Sequence, residues 1–327
     1  MNSLGRIFRV SLAGESHGPG IAVLIDGCPP GIPLAVEDFA ADLERRRGGR
    51  PGTTARREDD VPEIVSGVYR GRTTGSPILA LFRNQDARPG AYDDLAGKPR
   101  PGHADWTGWY KFGGFNDPRG GGHFSGRLTV ALVAAGVVAK KLIAPTVVQA
   151  RIVEVGGEAD YTPLVEQARA LGDSLGGLIE CRASGVRPGL GEPFFDSLES
   201  VISHAVFAVP AVKGIEFGAG FAAARMRGSE MNDPIVDASG RTATNHAGGI
   251  NGGISSGNDI VFRVAIKPTS SIATPQQTID LETGEARQIR VGGRHDACIA
   301  LRAPVVLEAV TAIVLADALR LADERKT

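Results

Sequence analysis

Five of the six histidines in this chain, His17, His103, His123, His246 and His295, lie within two residues of a glycine. Imidazole exchanges protons near neutral pH, and glycine lets backbone close in on a ligand, so this pairing points to proton transfer beside a tightly held small molecule. His17, in Gly14-Glu15-Ser16-His17-Gly18, stands next to a hydroxyl on a tight connection; the same Ser16 could simply cap the turn. His103, in Arg100-Pro101-Gly102-His103-Ala104-Asp105, has a carboxylate two residues on that either orients the ring or caps a following turn. No two histidines have the i, i+4 spacing of a helical zinc motif. Cys28, Cys181 and Cys298 are too scattered for a zinc knuckle or a disulfide framework, so no metal is expected.

The arginines supply the complementary charge. Arg45, Arg46, Arg47, Arg50, Arg119, Arg127 and Arg294 all fall in or beside glycine-rich segments, whereas Arg56 and Arg57 read as solvated basic surface. Arg127 follows Gly120-Gly121-Gly122 and Ser125-Gly126 and opens an apolar helix, where backbone N–H groups and a guanidinium together clamp phosphate. Lys267-Pro268-Thr269-Ser270-Ser271 closes a strand with a cation and three hydroxyls, as an ordinary turn or a second phosphate cradle. There is no P-loop, and Gly218-Ala219-Gly220-Phe221-Ala222-Ala223 fits a dinucleotide fingerprint only loosely. The chemistry expected is an enzyme acting on a small, strongly anionic, phosphate-bearing substrate.

Such residues need a scaffold. The 327-residue chain is 42% hydrophobic, enough for a sizeable core, and its 36 basic and 37 acidic residues leave a net charge of −1, which favours neither nucleic acid nor an anionic membrane. The longest apolar run, 128–139, is too short to cross a bilayer, and no signal-peptide pattern opens the chain. A cytoplasmic enzyme is expected. Alternating or apolar runs predict strands over 6–13, 21–26, 64–69, 78–82, 147–155, 178–183 and 259–267, and helical spacing predicts helices around 36–47 and 198–207. Residues 128–143 and 305–321 are apolar nearly all round, as expected of helices buried on every side. The stretch 83–126 reads as a long functional loop. With no composition break, a single domain over 1–327 is expected, of α+β class with helices sandwiched between antiparallel-rich sheets.

Taken together the motifs resemble the chorismate synthase family, over nearly the whole chain. The resemblance rests on the two histidine motifs, Asp42-Leu43-Glu44-Arg45-Arg46-Arg47, Asn245-His246-Ala247-Gly248-Gly249, Gly252-Gly253-Ile254-Ser255-Ser256-Gly257, residues 267–271 and Gly293-Arg294-His295-Asp296. It implies anti-1,4-elimination of phosphate from 5-enolpyruvylshikimate 3-phosphate to give chorismate, the last step of the shikimate pathway. It further implies reduced FMN with no net redox change, a homotetramer, and, since no fused reductase is visible, a separate flavin reductase. By position the resemblance makes His17 the acid toward the departing phosphate, His103 the group that protonates or stabilises the reduced flavin, and Asp296 an aid to removal of the substrate proton. Arg46, Arg50, Arg127 and Arg294 would hold substrate or flavin anions, and Ser125, Pro210, Ala211, Gly252, Lys267, Pro268, Thr269, Ser270 and Ser271 fall in flavin-binding segments. Where the family reads Arg-Ser-Ser-Ala-Arg-Glu, this chain has His123-Phe124-Ser125-Gly126-Arg127-Leu128. One arginine and one carboxylate are absent, so the flavin or substrate anion must be held partly by His123, by Arg119 or by backbone alone; Phe124 falls in the same cofactor-binding segment.

Overall fold

The computed structural model describes residues 2–86, 90, 95, 97–293 and 295–325. Two antiparallel sheets carry the architecture. The first comprises Ser3–Leu4 (β1), Arg9–Gly14 (β2), Gly20–Asp26 (β3), Glu63–Ser66 (β4) and Ile78–Arg83 (β5), in the order β1-β2-β3-β5-β4. The second comprises Val147–Val155 (β6), Gly177–Ser184 (β7), Val212–Phe217 (β8) and Ile260–Ile266 (β9), in the order β8-β9-β7-β6. Alternation sets which face each strand buries: Ile21, Val23 and Ile25 point inward from β3, and Ile260, Phe262, Val264 and Ile266 from β9.

Helices run at Ala40–Arg46 (α1), Asp105–Phe112 (α2), Thr129–Leu142 (α3), Thr162–Leu171 (α4), Leu198–Phe207 (α5) and Pro304–Glu324 (α6). The two all-apolar segments form the middle layer. α3 is buried without interruption from Thr129 to Ala139 and α6 from Val305 to Asp317, with α3 facing β3 and α6 facing β6. They approach closely at Gly136, where a Cβ would stand 2.4 Å from that of Ala309. A helix covered on all sides has no polar face to reveal its phase, which is why these two segments look uniformly apolar. Helices thus lie between antiparallel sheets, and the α+β class is as expected.

α2, α4 and β8 were not foreseen. α2 interrupts what reads as loop, because its large side chains Trp106, Trp109 and Tyr110 point outward and only Gly108 is buried, leaving no apolar stripe to mark a helix.

Candidate active site

A cavity of about 790 Å³ opens where the loops of both sheets meet the ends of α1, α3, α5 and α6. Its anchor is the glycine run. Gly120, Gly121 and Gly122 all have positive φ, 60°, 81° and 51°, a backbone path that side-chain-bearing residues rarely take. The path lets two distant histidines rest on neighbouring glycines. A Cβ on Gly120 would stand 2.3 Å from His17 Cε1, and one on Gly121 would stand 3.1 Å from His103 Cε1.

His17 is held below its ordinary pKa, first by burial and then by the nearby Arg56 charge, so it is neutral in the ligand-free protein at neutral pH. His103 has a different support. Its Nδ1 lies 2.6 Å from Asp105 Oδ1, and Arg100 donates to both oxygens of Asp105, from Nε at 2.7 Å and Nη2 at 2.8 Å. Burial works against the Asp105 charge, but the hydrogen bonds from Arg100 and His103 outweigh it and hold this carboxyl far below the usual range. Asp105 therefore orients the ring, although it also opens α2.

Arg46 and Arg127 converge on Asp60. Arg46 Nη2 donates to Asp60 Oδ2 at 2.6 Å, and Arg127 Nη1 donates to Asp60 Oδ1. All three side chains are almost fully buried. Burial pulls Arg46 down to about 10, with Asp60 opposing and Arg302 and Arg127 adding to the fall; it stays cationic at neutral pH. Asp60 is itself lowered, because the two guanidiniums overcome the cost of its burial. Both arginines keep something in reserve: Arg46 Nε and Arg127 Nη2 are buried with no hydrogen-bond partner among the described residues.

Asp296 accepts the Thr54 N–H at 2.9 Å on Oδ1 and Arg302 Nη2 at 3.0 Å on Oδ2, while Thr269 Oγ1 donates to its backbone carbonyl. Lys267 Nζ donates to Ser270 Oγ at 2.6 Å, and Ser270 Oγ donates to Gly102 O at 2.7 Å, linking the segment after β9 to the turn that carries His103. Ser271 Oγ accepts from Arg100. Burial, then Lys213, lowers the Lys267 ammonium.

The cavity lining includes His103, Asp296, Arg46, Arg127, His123, Phe124, Ser125, Pro210, Ala211, Lys267, Thr269, Ser270 and Ser271. His17 stands behind Gly120 at its wall. Arg50, Gly252 and Pro268 do not line it: Arg50 is exposed and donates to Arg45 O, and Gly252 sits in the turn between Ile250–Asn251 and Ile254–Ser255. Arg294 lies outside the described residues. His123 Nδ1 is 2.9 Å from Gly14 O and Nε2 is 3.1 Å from Asn2 Oδ1, so both ring nitrogens are engaged, while Arg119 is tied to Asp117. Phe124 packs over Gly108 of α2.

Arg56 corrects the reading of a solvated basic pair. It lines the cavity, pairs with buried Glu58 and donates to Ser16. Arg100, Arg302, Glu58 and Asp60 line the cavity too; the block Arg56-Arg57-Glu58-Asp59-Asp60, two basic then three acidic residues, is the local signal for Glu58 and Asp60, Arg100 stands in the His103 motif, and Arg302 has no local signal. Among the described residues eight cationic side chains against three carboxylates line the cavity, so its field suits a multiply charged anion.

The family model for chorismate synthase matches residues 8–320. The chain is 60% identical over 318 residues to a chorismate synthase from Chitinophaga pinensis, covering 97% of this chain and 96% of that one. The chain belongs to the chorismate synthase family. A chorismate synthase from the archaeon Aeropyrum pernix is 47% identical, covering 98% and 93% of the two chains. A crystal structure of chorismate synthase superposes with a TM-score of 0.75 at 29% identity, covering 97% and 93%. As a chorismate synthase, the chain is a carbon–oxygen lyase that eliminates phosphate from 5-enolpyruvylshikimate 3-phosphate, the final step of the shikimate pathway, in a family that uses reduced flavin. Among the described residues no helix is long and apolar enough to cross a membrane.

Proposed function

We propose that the cavity holds 5-enolpyruvylshikimate 3-phosphate beside reduced FMN, with His17 and His103 as its proton carriers. The observation that carries this reading is the seating of both histidines on adjacent glycines, His103 lining a strongly cationic cavity and His17 packed behind Gly120 of its wall. The residues fit the two ligands: Arg46 Nε and Arg127 Nη2 are buried donors with capacity left for an anion, and the 790 Å³ volume accommodates a cofactor together with a small substrate. When bound, the reduced flavin lends electron density to an allylic system whose hydrogen is not acidic and whose phosphate leaves reluctantly.

The chain's own residues do the rest. Arg46 and Arg127, fixed by Asp60, bind and orient substrate anions. His17 is neutral until a phosphate dianion enters, and that charge raises its proton affinity so that it can protonate the departing group. In His103, Nδ1 is committed to Asp105, so Nε2 is the atom that exchanges a proton. Asp296, paired with Arg302, is assigned to assist removal of the substrate proton. His123, Phe124, Ser125, Pro210 and Ala211, with Lys267, Thr269, Ser270 and Ser271, are assigned to the flavin; Arg50, Gly252, Pro268 and Arg294 enter by the family resemblance alone.

Anaerobic protein with reduced FMN and substrate should release phosphate, and His17→Ala or His103→Ala should stop most of that release. Near-normal rates in both variants at saturating reduced flavin would overturn the roles. The same reading takes 1–327 as one catalytic domain, supported by one hydrophobic core shared by both sheets. It takes the assembly as a homotetramer, which sedimentation equilibrium tests, and a separate reductase as the source of reduced FMN. The free, buried state of all three cysteines supports a cytoplasmic setting.

A further inference from the structure

The turn that carries Ser16 and His17 is held from outside by residues of two other segments. Asn84 Nδ2 donates to Glu15 O at 3.0 Å and to Gly18 O at 2.9 Å, and Gly122 O accepts the Ser16 N–H at 3.1 Å. Those contacts fix the backbone on either side of Ser16. Arg56 does something they do not: its Nη1 donates to Ser16 Oγ at 3.0 Å and its Nη2 to Ser16 O at 2.9 Å. The guanidinium is itself locked, since Glu58 Oε1 accepts from Nε at 2.9 Å and Nη2 at 2.7 Å, and Glu58 Oε2 accepts the Gln85 N–H at 2.7 Å. With side chains only 15% and 3% exposed, the Arg56–Glu58 pair is a rigid, water-poor brace.

We infer that Arg56 is a positioning residue for the elimination, fixing the Ser16–His17 turn against the cavity wall and making the Ser16 hydroxyl a donor toward the bound anion. The second half follows from the direction of the hydrogen bond. A guanidinium can only donate, so Ser16 Oγ must accept from it and its own hydrogen remains free to point elsewhere. Ser16 is 2% exposed and lines the cavity, and Ser16 Oγ donates to no group among the described residues, so its hydrogen is directed to the ligand. Lysine would keep the charge but not the planar two-point hold on one residue's hydroxyl and carbonyl. The inference rests on His17 being the acid toward the phosphate.

The test is a set of variants assayed with saturating reduced FMN. Arg56→Lys and Arg56→Gln should both lower kcat by about tenfold or more, the scale of a mispositioned acid, with much smaller changes in KM. In a Ser16→Ala background Arg56→Gln should cost clearly less than in the wild type, because the hydroxyl contact is already gone and only the hold on the backbone carbonyl is left to lose. The alkaline limb of kcat/KM should rise in pH for Arg56→Gln, which removes the charge facing His17, and stay in place for Arg56→Lys. Wild-type kcat in Arg56→Lys, a rise in KM alone, or additive losses in the double variant would each overturn the inference. Should Arg56→Gln fold poorly, the Arg56→Ala protein supplemented with methylguanidinium decides: restored kcat supports positioning, and no restoration in folded protein refutes it. Failure of the underlying reading is separate, since it shows as normal turnover in His17→Ala whatever Arg56 does.

Discussion

Arg45 and Arg46 are consecutive residues of α1, yet they enter two different buried charge clusters. Arg45 reaches Glu308 of α6 with two hydrogen bonds of 2.7 and 2.6 Å; Lys140 of α3 adds a third at 3.0 Å and the Ala150 N–H of β6 a fourth at 2.9 Å. Arg46 reaches Asp60, shared with Arg127. Both carboxylates are buried and both are lowered by cations that overcome the cost of burial. The difference lies in what is left over. Both Glu308 oxygens are fully engaged by groups from three elements, whereas the Asp60 cluster keeps unsatisfied donors on Arg46 and Arg127 beside a cavity. A closed cluster holds helices to a sheet; an open one keeps binding capacity for an anion that has yet to arrive.

Breaking the closed cluster should have the largest effect. Glu308→Ala leaves the partly exposed Arg45 and Lys140 with Asp42 alone and strands the Ala150 N–H, and should cost about 3 kcal/mol of stability in denaturant titrations, with little change in kcat for the protein that stays folded. Arg127→Gln should instead lower kcat/KM by roughly 10²–10³, the scale of losing one partner of a buried charged contact, with a smaller loss of stability. If Arg127→Gln unfolded the protein as severely as Glu308→Ala, the two clusters would not differ in kind. His17→Ala and His103→Ala should each lower turnover by about 10² with unaltered melting, as expected on removing a positioned acid or base.

Acid titration sharpens the same contrast. A carboxyl whose folded pKa lies below its unfolded value stabilises the fold fully above the unfolded value, and that contribution fades as pH falls through the folded one. For Glu308 the loss should therefore begin near its ordinary value of 4.5 and proceed downward, and Glu308→Gln should flatten that part of the stability curve. A curve unchanged by Glu308→Gln would remove Glu308 from the acid response. The smallest effect is expected at His123, a partly exposed position: His123→Arg should shift FMN affinity by about 1 kcal/mol or less. Identical flavin titrations would make His123 a bystander.

How much of this was readable before the fold depends on the residue. The buried helices α3 and α6 and the strands with clean alternation were legible because their side chains all face protein or alternate between core and outside. α2 was not, since its aromatic residues face outward. The place of Arg127 in the cavity was legible from its glycine-rich approach to a helix, whereas Arg56 resembled ordinary surface. Nothing local distinguishes a solvated arginine from one turned inward against Glu58 and Ser16.

Residue types and local spacing by themselves determined the chemistry available: imidazoles near neutrality, guanidiniums for anions, and glycines where backbone must bend to positive φ. They also determined which segments had to be buried. Only the tertiary structure decided the partnerships. It set His17 and His103 on adjacent glycines and sent neighbouring arginines to opposite clusters. It also turned Arg56 inward. The physical reason is that side-chain partners and burial belong to packing between distant segments, and it is burial that makes a charge pair rigid, moves a pKa and leaves a donor waiting for a ligand.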